Sequence, residues 1–382
     1  MDDPSRIVGQ GATNGMAGVT YWSGWRIVSA LAFAAVGGIL VFSATTRGAW
    51  DWDVIGYTMA VLKDGMSDAA LYAKTWALVK QQVPAEALAD LISRDSYREA
   101  VHATPAALIS QLPLYESKLG YVLLLKALSP VADPIAAMRA VSLVCSLGIL
   151  LVLFRQCWAI RGVAALAWLP FVGLFGLSGL ATMLSPDPLA AFLYIVAFAA
   201  LLSGRLKVAL GLAVLAVFVR PEGVVLNAML FAVLARRSPV PATVFLVASA
   251  ALCFANLVLS SHVGWWAQFH FNFVETMPDL AAPRPGFEFR TYLFVLAERF
   301  RELLHQPWFN AAVGAVILAL ALLGRGGGPL AALLLLAIVA AAPIRFILYP
   351  SVEMRHYGAL LFGLALIVLH ALRSLPKDRP AV

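Results

Sequence analysis

Long apolar runs separated by short polar stretches dominate the chain. A membrane-spanning helix needs about 20 mainly apolar residues, and we count about eleven candidate segments. They lie near 27–46, 112–129, 135–154, 162–180, 187–202, 205–219, 223–235, 240–260, 307–323, 329–348 and 356–372. The apolar–polar alternation of a membrane barrel is missing. Because helices satisfy their own backbone hydrogen bonds in lipid, the pattern predicts an all-α polytopic transmembrane bundle of about 10–11 helices.

A long polar stretch follows the first apolar segment, at 47–111. Within it, Tyr57 to Val79 and Ala85 to Ala100 mix apolar and charged residues at helical spacing. Pro84 followed by Glu86 is typical of a helix start. We therefore expect interfacial helices in this first outer loop.

A second polar stretch, 261–306, contains an aromatic run from Trp265 to Phe273. Aromatic residues of this kind either anchor a protein at the membrane interface or form a wall for a lipid or sugar. No internal repeat or flexible linker divides the chain, so residues 1–382 are treated as a single integral membrane domain.

The composition excludes most soluble classes. Hydrophobic residues make up 61% of the chain and charged residues 13%, whereas a soluble protein carries roughly 25% charged residues. The net charge of +7 is explained by Lys and Arg in cytoplasmic turns, so no nucleic-acid partner is expected.

Basic residues alternate with lysine-poor turns along the chain, which sets an orientation. The turns at Arg155, Arg205, Arg236, Arg325 and Arg373 are predicted to be cytoplasmic. The intervening turns, 185–188, 220–223, 261–306 and 349–355, then face outside. Two candidate segments, 112–129 and 135–154, lie between the outer loop 47–111 and Arg155, and two crossings would place Arg155 outside. Segment 112–129 carries several charges and Pro113, so either it does not cross the membrane or Arg155 is external.

Two carboxylates lie just past the first apolar segment, in Trp50-Asp51-Trp52-Asp53. A carboxylate in a partly dry site can act as a general base on a hydroxyl or amine. A pair can also hold a divalent cation such as Mg²⁺ or Mn²⁺. Alternatively, an aspartate caps the next helix and the tryptophans are interfacial.

Further charges collect in the later outer turns, where the orientation rule predicts few cations. These are Asp187, Arg220, Glu222, Arg345, Arg355 and His356, to which Lys118 and Arg139 add if they face outside. Arginines around an outer site suit a substrate with fixed negative charge, such as a lipid phosphate. Local salt bridges, for example Glu353 with Arg355, are the alternative.

Motifs for soluble cofactors and nucleotides are missing from the sequence, including a Walker loop, a zinc-binding helix motif and a Rossmann fingerprint. The sequence therefore requires no cofactor. A group donor must then arrive already activated and within the membrane.

The order of short motifs along the chain resembles the GT-C superfamily of integral-membrane glycosyltransferases, which use polyprenyl- or dolichyl-phosphate sugars. These motifs are Asp53-x-x-x-Tyr57 followed by Gly65, Gln111 to Tyr115, Arg139, Ser185 to Pro188, Arg220 to Gly223, and Glu353 to Tyr357. The resemblance covers most of the chain.

The resemblance implies a sugar transfer at the outer membrane face, with Asp53, and next Asp51, as the catalytic base. Arg220 and Arg355 would hold the phosphate of a polyprenyl-phosphate sugar. Further donor-binding candidates are His356, Arg345, Asp187, Glu222, Tyr115, Lys118 and Arg139. The acceptor would be a glycan, a lipid or a protein. Some members of the superfamily use a divalent cation and others do not.

Two other functions fit a multi-pass chain, namely a transporter or lipid flippase, and a non-catalytic membrane scaffold. The predicted location is a membrane, and the Ala- and Gly-rich composition favours a bacterial inner membrane with the site facing the periplasm.

Overall fold

The computed structural model describes residues 13–158, 160, 162–260, 262–326 and 328–375. Every regular element in these ranges is helical, which confirms the all-α prediction. The α-helices are α1 (Thr13–Thr46), α2 (Asp53–Leu62), α3 (Asp68–Gln82), α4 (Ala85–Ser93), α5 (Ser96–Ala103), α6 (Pro105–Ser110), α7 (Leu112–Glu116), α8 (Leu119–Leu128), α9 (Pro134–Cys157), α10 (Leu169–Leu174), α11 (Leu177–Thr182), α12 (Asp187–Leu202), α13 (Leu206–Val219), α14 (Val224–Leu234), α15 (Pro239–Leu259), α16 (Trp265–Phe273), α17 (Phe289–Leu304), α18 (Pro307–Leu323), α19 (Pro329–Leu348) and α20 (Gly358–Arg373). Short 3₁₀ turns precede α10, α14 and α20, at Gly162–Leu166, Pro221–Gly223 and Met354–Tyr357. The single-domain prediction also includes residues 1–12 and 376–382, which lie outside the described residues.

Five helices in the described residues are long and apolar enough to cross a membrane, within α1, α9, α15, α19 and the α20 region. A sixth span is possible if α17 and α18, which are bent by 74°, count as one. These helices fit an integral membrane protein. The other predicted segments form apolar helices of 10–17 residues, because prolines and glycines end them early.

Segment 162–180 shows how such a break arises. It divides into a 3₁₀ turn, α10 and α11. Gly176, which separates α10 from α11, has a φ of 60°, a left-handed conformation that glycine adopts without steric cost. Gly176 thus marks the boundary between α10 and α11.

Segment 112–129 divides into α7 and α8 at Ser117 and Lys118. Helix α8 has 10 residues, and a helix of that length rises about 15 Å, half of a hydrocarbon core. It is therefore too short to cross a bilayer alone.

The first outer loop is helical, as expected, and α4 begins at Ala85, directly after Pro84. Helix α2 differs from the predicted surface helix. Its residues Val54 to Val61 are all buried, because α2 packs against α3, α7, α8 and α9. Gly65, with a φ of 72°, lies between α2 and α3, so the predicted 57–79 segment is two helices.

The centre of the bundle is α20, which packs against α9, α12, α18 and α19. Most of its residues from Leu360 to Leu369 are fully buried. Helices α12 and α13 pair along their length next to it. This packing brings the first residue of α12, the turn after α13 and the turn before α20 to one end of the bundle.

Candidate functional site

Asp51 and Asp53, the two carboxylates of the outer loop, meet one guanidinium group. The Nη1 atom of Arg355 lies 2.6 Å from Asp53 Oδ2 and 3.2 Å from Asp51 Oδ2. Arg355 is more than 300 residues away in sequence, in the 3₁₀ turn before α20. Its Nε atom lies 2.5 Å from Glu353 Oε2, so three carboxylates surround a single arginine.

A second group of charges lies at the ends of α12, α13 and α8. Arg220 forms an ion pair with Asp187, and its Nε atom is 3.5 Å from Glu222 Oε2. Lys118 Nζ is 4.0 Å from Glu222 Oε1. The Ser185 hydroxyl donates to Asp187 Oδ2 at 2.9 Å. The side chain of Asp187 is only 5% exposed, so its charge depends on Arg220 for compensation.

Arg345 differs from Arg220 and Arg355, which both pair with carboxylates. Among the described residues no carboxylate lies within ion-pair distance of Arg345, and its guanidinium lies over the Tyr357 ring at 5.6 Å. The Arg345 Nε and His356 Nδ1 atoms are buried and have no hydrogen-bond partner. Buried donors without partners are costly, which points to a ligand with acceptor atoms at this position.

The charged residues line two adjoining cavities. The outer cavity has a volume of about 130 Å³ and the inner one about 50 Å³. Both are lined by Asp187, Arg220, Glu222, Arg355 and His356. The outer cavity adds Asp53, Tyr115 and Lys118, and the inner cavity adds Arg345. The structure thus brings together nine of the eleven predicted site residues.

The two remaining predicted residues lie beside the cavities. Asp51 lines neither cavity and is connected to them through Arg355 and through the Asp53 backbone N–H, which donates to Asp51 Oδ1. Arg139 lies 4.5 Å from the ring centroid of Trp50, a cation–π contact, and lines neither cavity. Arg139 was predicted to help bind the sugar donor. In the structure it contacts Trp50 at the start of the outer loop.

The outer cavity also contains residues that the sequence did not single out as site residues. Tyr57 is one of them, and it meets the predicted residue Tyr115 edge to face at 5.1 Å. Gly56 lets the Tyr115 ring lie directly against α2. Helix α16 contributes Gln268 and Asn272. These two amides are four residues apart within an aromatic run, so they share a helix face, and that spacing was the signal available in the sequence.

Burial and the neighbouring charge of Asp53 raise the pKa of the Asp51 carboxyl to about 7, against the opposing effect of Arg355. Asp51 therefore changes its charge near neutral pH, and the net charge next to Arg355 changes with it.

No group of three or more His, Cys, Asp or Glu side chains suited to a metal ion occurs in the described part of the chain. Arg355 lies between Asp51 and Asp53, where a cation bound by this pair would lie.

Comparison of the chain with protein-family models, with curated proteins and with solved structures found no match. The geometry of the cavities is therefore the basis for a functional proposal.

Proposed function

We propose that this protein is an integral-membrane glycosyltransferase of the GT-C type, which moves a sugar from a polyprenyl-phosphate donor to an acceptor at the outer membrane face. The observation that carries the proposal is the convergence of Asp53, Arg220 and Arg355 on one cavity. These residues come from three distant parts of the chain. Asp53 supplies a base, Arg355 an anion-binding group, and Arg220 the partner of the buried Asp187 at the same cavity.

The reaction follows from these groups. The acceptor hydroxyl or amine attacks the anomeric carbon, and its proton passes to the Asp53 carboxylate. The bond between the anomeric carbon and the phosphate oxygen breaks, and polyprenyl phosphate leaves with the electron pair. A positioned base typically contributes about 10²–10⁴-fold in rate. The phosphate would also draw Arg355 away from Asp53, which frees the carboxylate for the proton.

The phosphate would bind at Arg345 and His356. Both line the inner cavity and have a buried nitrogen without a hydrogen-bond partner, and Arg345, unlike Arg220 and Arg355, has no carboxylate partner among the described residues. Arg355 borders the same inner cavity and can contact the phosphate from the Asp53 side. Preorganised donors of this kind stabilise the charge that develops on the leaving phosphate.

An apolar groove beside the inner cavity supports a lipid-linked donor. It has a volume of about 700 Å³ and lies between α17, α18, α19 and α20. Its lining includes Leu360, which also lines the inner cavity, and Tyr357, which follows His356. A phosphate at His356 would therefore place its hydrocarbon chain in this groove.

The distribution of basic turns supports an outward-facing site. Arg155, Arg205, Arg236, Arg325 and Arg373 lie at the helix ends opposite the cavities. If these ends are cytoplasmic, the opposite ends of the same helices, where the cavities lie, face outside. In a bacterial inner membrane the cavities would then face the periplasm.

Arg345→Gln is expected to lower kcat/KM for the donor by about 10²–10³-fold, because one charged donor to the leaving phosphate is lost. The measurement is release of polyprenyl phosphate from radiolabelled polyprenyl-phosphate mannose and glucose by purified protein. Arg290→Gln, an exposed change in α17, is the matched control. Unchanged kinetics for Arg345→Gln would remove the inner cavity from the phosphate site.

The donor KM is expected to rise as the pH increases through about 7, the pKa of Asp51. Asp51 is neutral below that pH and negative above it, and the added charge repels the donor phosphate. In a half-exposed site this repulsion amounts to about 1 kcal/mol, or roughly fivefold in KM.

Asp51→Asn should abolish this pH dependence, whereas Asp68→Asn, at the exposed start of α3, should keep it. A pH-independent KM in the wild type, or the same pH dependence in Asp51→Asn, would show that Asp51 does not control donor binding.

A further inference from the structure

A second apolar cavity lies on the other side of α19 from the donor groove. It has a volume of about 310 Å³ and lies between α14, α15, α16 and α19. We call it the side cavity. It shares Lys118, Glu222, Gln268 and Tyr349 with the outer cavity, which Asp53 also lines, and Arg345 with the inner cavity. The side cavity therefore adjoins both.

The side cavity changes character along its length. Away from the charged residues, its lining is apolar and includes Val224, Cys253, Leu257 and Leu348. The surfaces of α15 and α19 next to it are exposed and apolar, as at Phe254 and Leu348, which are 68% and 43% exposed. These faces would contact lipid, so the apolar end of the side cavity borders the membrane.

The end that joins the outer cavity is polar. Lys118 Nζ donates to the Leu114 carbonyl at 2.8 Å and to the Ser117 hydroxyl at 2.9 Å. His262 Nε2 and Gln268 Oε1 are 3.0 Å apart. The lining thus contains hydrogen-bonding groups at one end and hydrocarbon at the other, and its volume falls within the about 300–1,000 Å³ of ligand pockets.

Under the proposed function the lipid phosphate occupies the inner cavity and its chain the donor groove, with Arg345 at the border of the side cavity. The side cavity is then left for the second substrate. We infer that the acceptor is an amphiphile, a lipid-linked molecule whose hydrocarbon chain occupies the side cavity and whose polar headgroup reaches Asp53. This inference rests on the proposed function, since it names the acceptor class of the same site. A water-soluble glycan or protein acceptor would leave the apolar end of the side cavity unfilled.

Cys253 provides a native reporter because it lines the side cavity, whereas Cys145 and Cys157 are buried. In lipid nanodiscs of phosphatidylethanolamine and phosphatidylglycerol, dodecyl glucoside is expected to slow N-ethylmaleimide labelling of Cys253 at least tenfold. Methyl glucoside, which has the same headgroup without the chain, should not. The control is Phe254→Cys in a Cys253→Ser background, since that position faces lipid and should be labelled at the same rate with either glycoside.

Equal labelling of Cys253 with and without dodecyl glucoside would overturn the inference, as would the same protection at position 254. The kinetic counterpart uses two cavity-filling variants. Cys253→Trp should raise the acceptor KM more than the donor KM, whereas Ala312→Trp in the donor groove should raise the donor KM more than the acceptor KM. An unchanged acceptor KM in Cys253→Trp would contradict the amphiphilic acceptor while leaving the transferase proposal intact.

The two proposals fail in different ways. Protection of Cys253 together with an absence of donor cleavage by the wild type would overturn the transferase, and with it the role of the bound amphiphile as an acceptor. Donor cleavage without protection of Cys253 would overturn only the acceptor class.

Discussion

Asp53→Asn is expected to reduce sugar transfer by about 10²–10⁴-fold, the contribution of a positioned general base. The amide has nearly the shape of the carboxylate and can still contact Arg355, so the loss would reflect chemistry and not a rearranged loop. The donor KM should fall, because the change removes a negative charge beside Arg355 and leaves that arginine free to contact the phosphate. Transfer of radiolabelled sugar from polyprenyl-phosphate mannose or glucose to lipid extract is the measurement.

Asp68→Asn is the matched control for this change, because Asp68 is an exposed acid in the first turn of α3, outside both cavities. It should keep full activity. If Asp53→Asn is fully active while Asp51→Asn is inactive, the base is Asp51. If both variants are fully active, the chain does not catalyse transfer by this route, and counterflow of a labelled solute in vesicles becomes the assay for a transporter.

The sequence predicted the helical fold and the composition of the charged cluster because both follow from strong local constraints. Apolar length and basic turns define membrane helices without reference to partners. Charged residues beside apolar helices are rare in membrane proteins. Asp187, Arg220, Arg345 and Arg355 could therefore each be recognised as candidate site residues from the sequence.

The sequence could not predict which charges pair with one another. Arg220 and Arg355 were both expected to bind phosphate, yet Arg220 is paired with the buried Asp187 and Arg355 with Asp51 and Asp53. Pairing depends on how the helix ends meet, and it is a tertiary property. The same holds for α2, whose mixed composition suggested a surface helix and whose burial comes from its packing against four other helices.

These pairs assign different roles to the arginines. An arginine that compensates a buried carboxylate is not available to a phosphate unless that carboxylate is neutralised. Arg345 has no such partner, so it is the cation that an incoming anion can bind without loss of an existing ion pair. Arg355, whose partner Glu353 is 56% exposed, can exchange partners at a lower cost because water solvates the released carboxylate.

Arg220→Gln is therefore expected to destabilise the protein by about 3–5 kcal/mol, because it leaves the Asp187 carboxylate buried with the Ser185 hydroxyl as its remaining partner. The measurement is the thermal unfolding midpoint of the purified protein in detergent, together with the fraction that elutes as a single species. Arg355→Gln is the matched comparison. It should lose activity with a much smaller change in midpoint, because its carboxylate partners are more exposed.

The double variant Arg220→Gln with Asp187→Asn decides between a structural and a phosphate-binding role for Arg220. Neutralising both members removes the buried unpaired charge, so the unfolding midpoint should return most of the way to that of the wild type. If donor cleavage returns with it, Arg220 acts by holding Asp187 and the end of α12 in place. If stability returns and donor cleavage does not, Arg220 contributes its charge to the phosphate as well. A single Arg220→Gln variant as stable as the wild type would contradict both the pairing and the burial of Asp187.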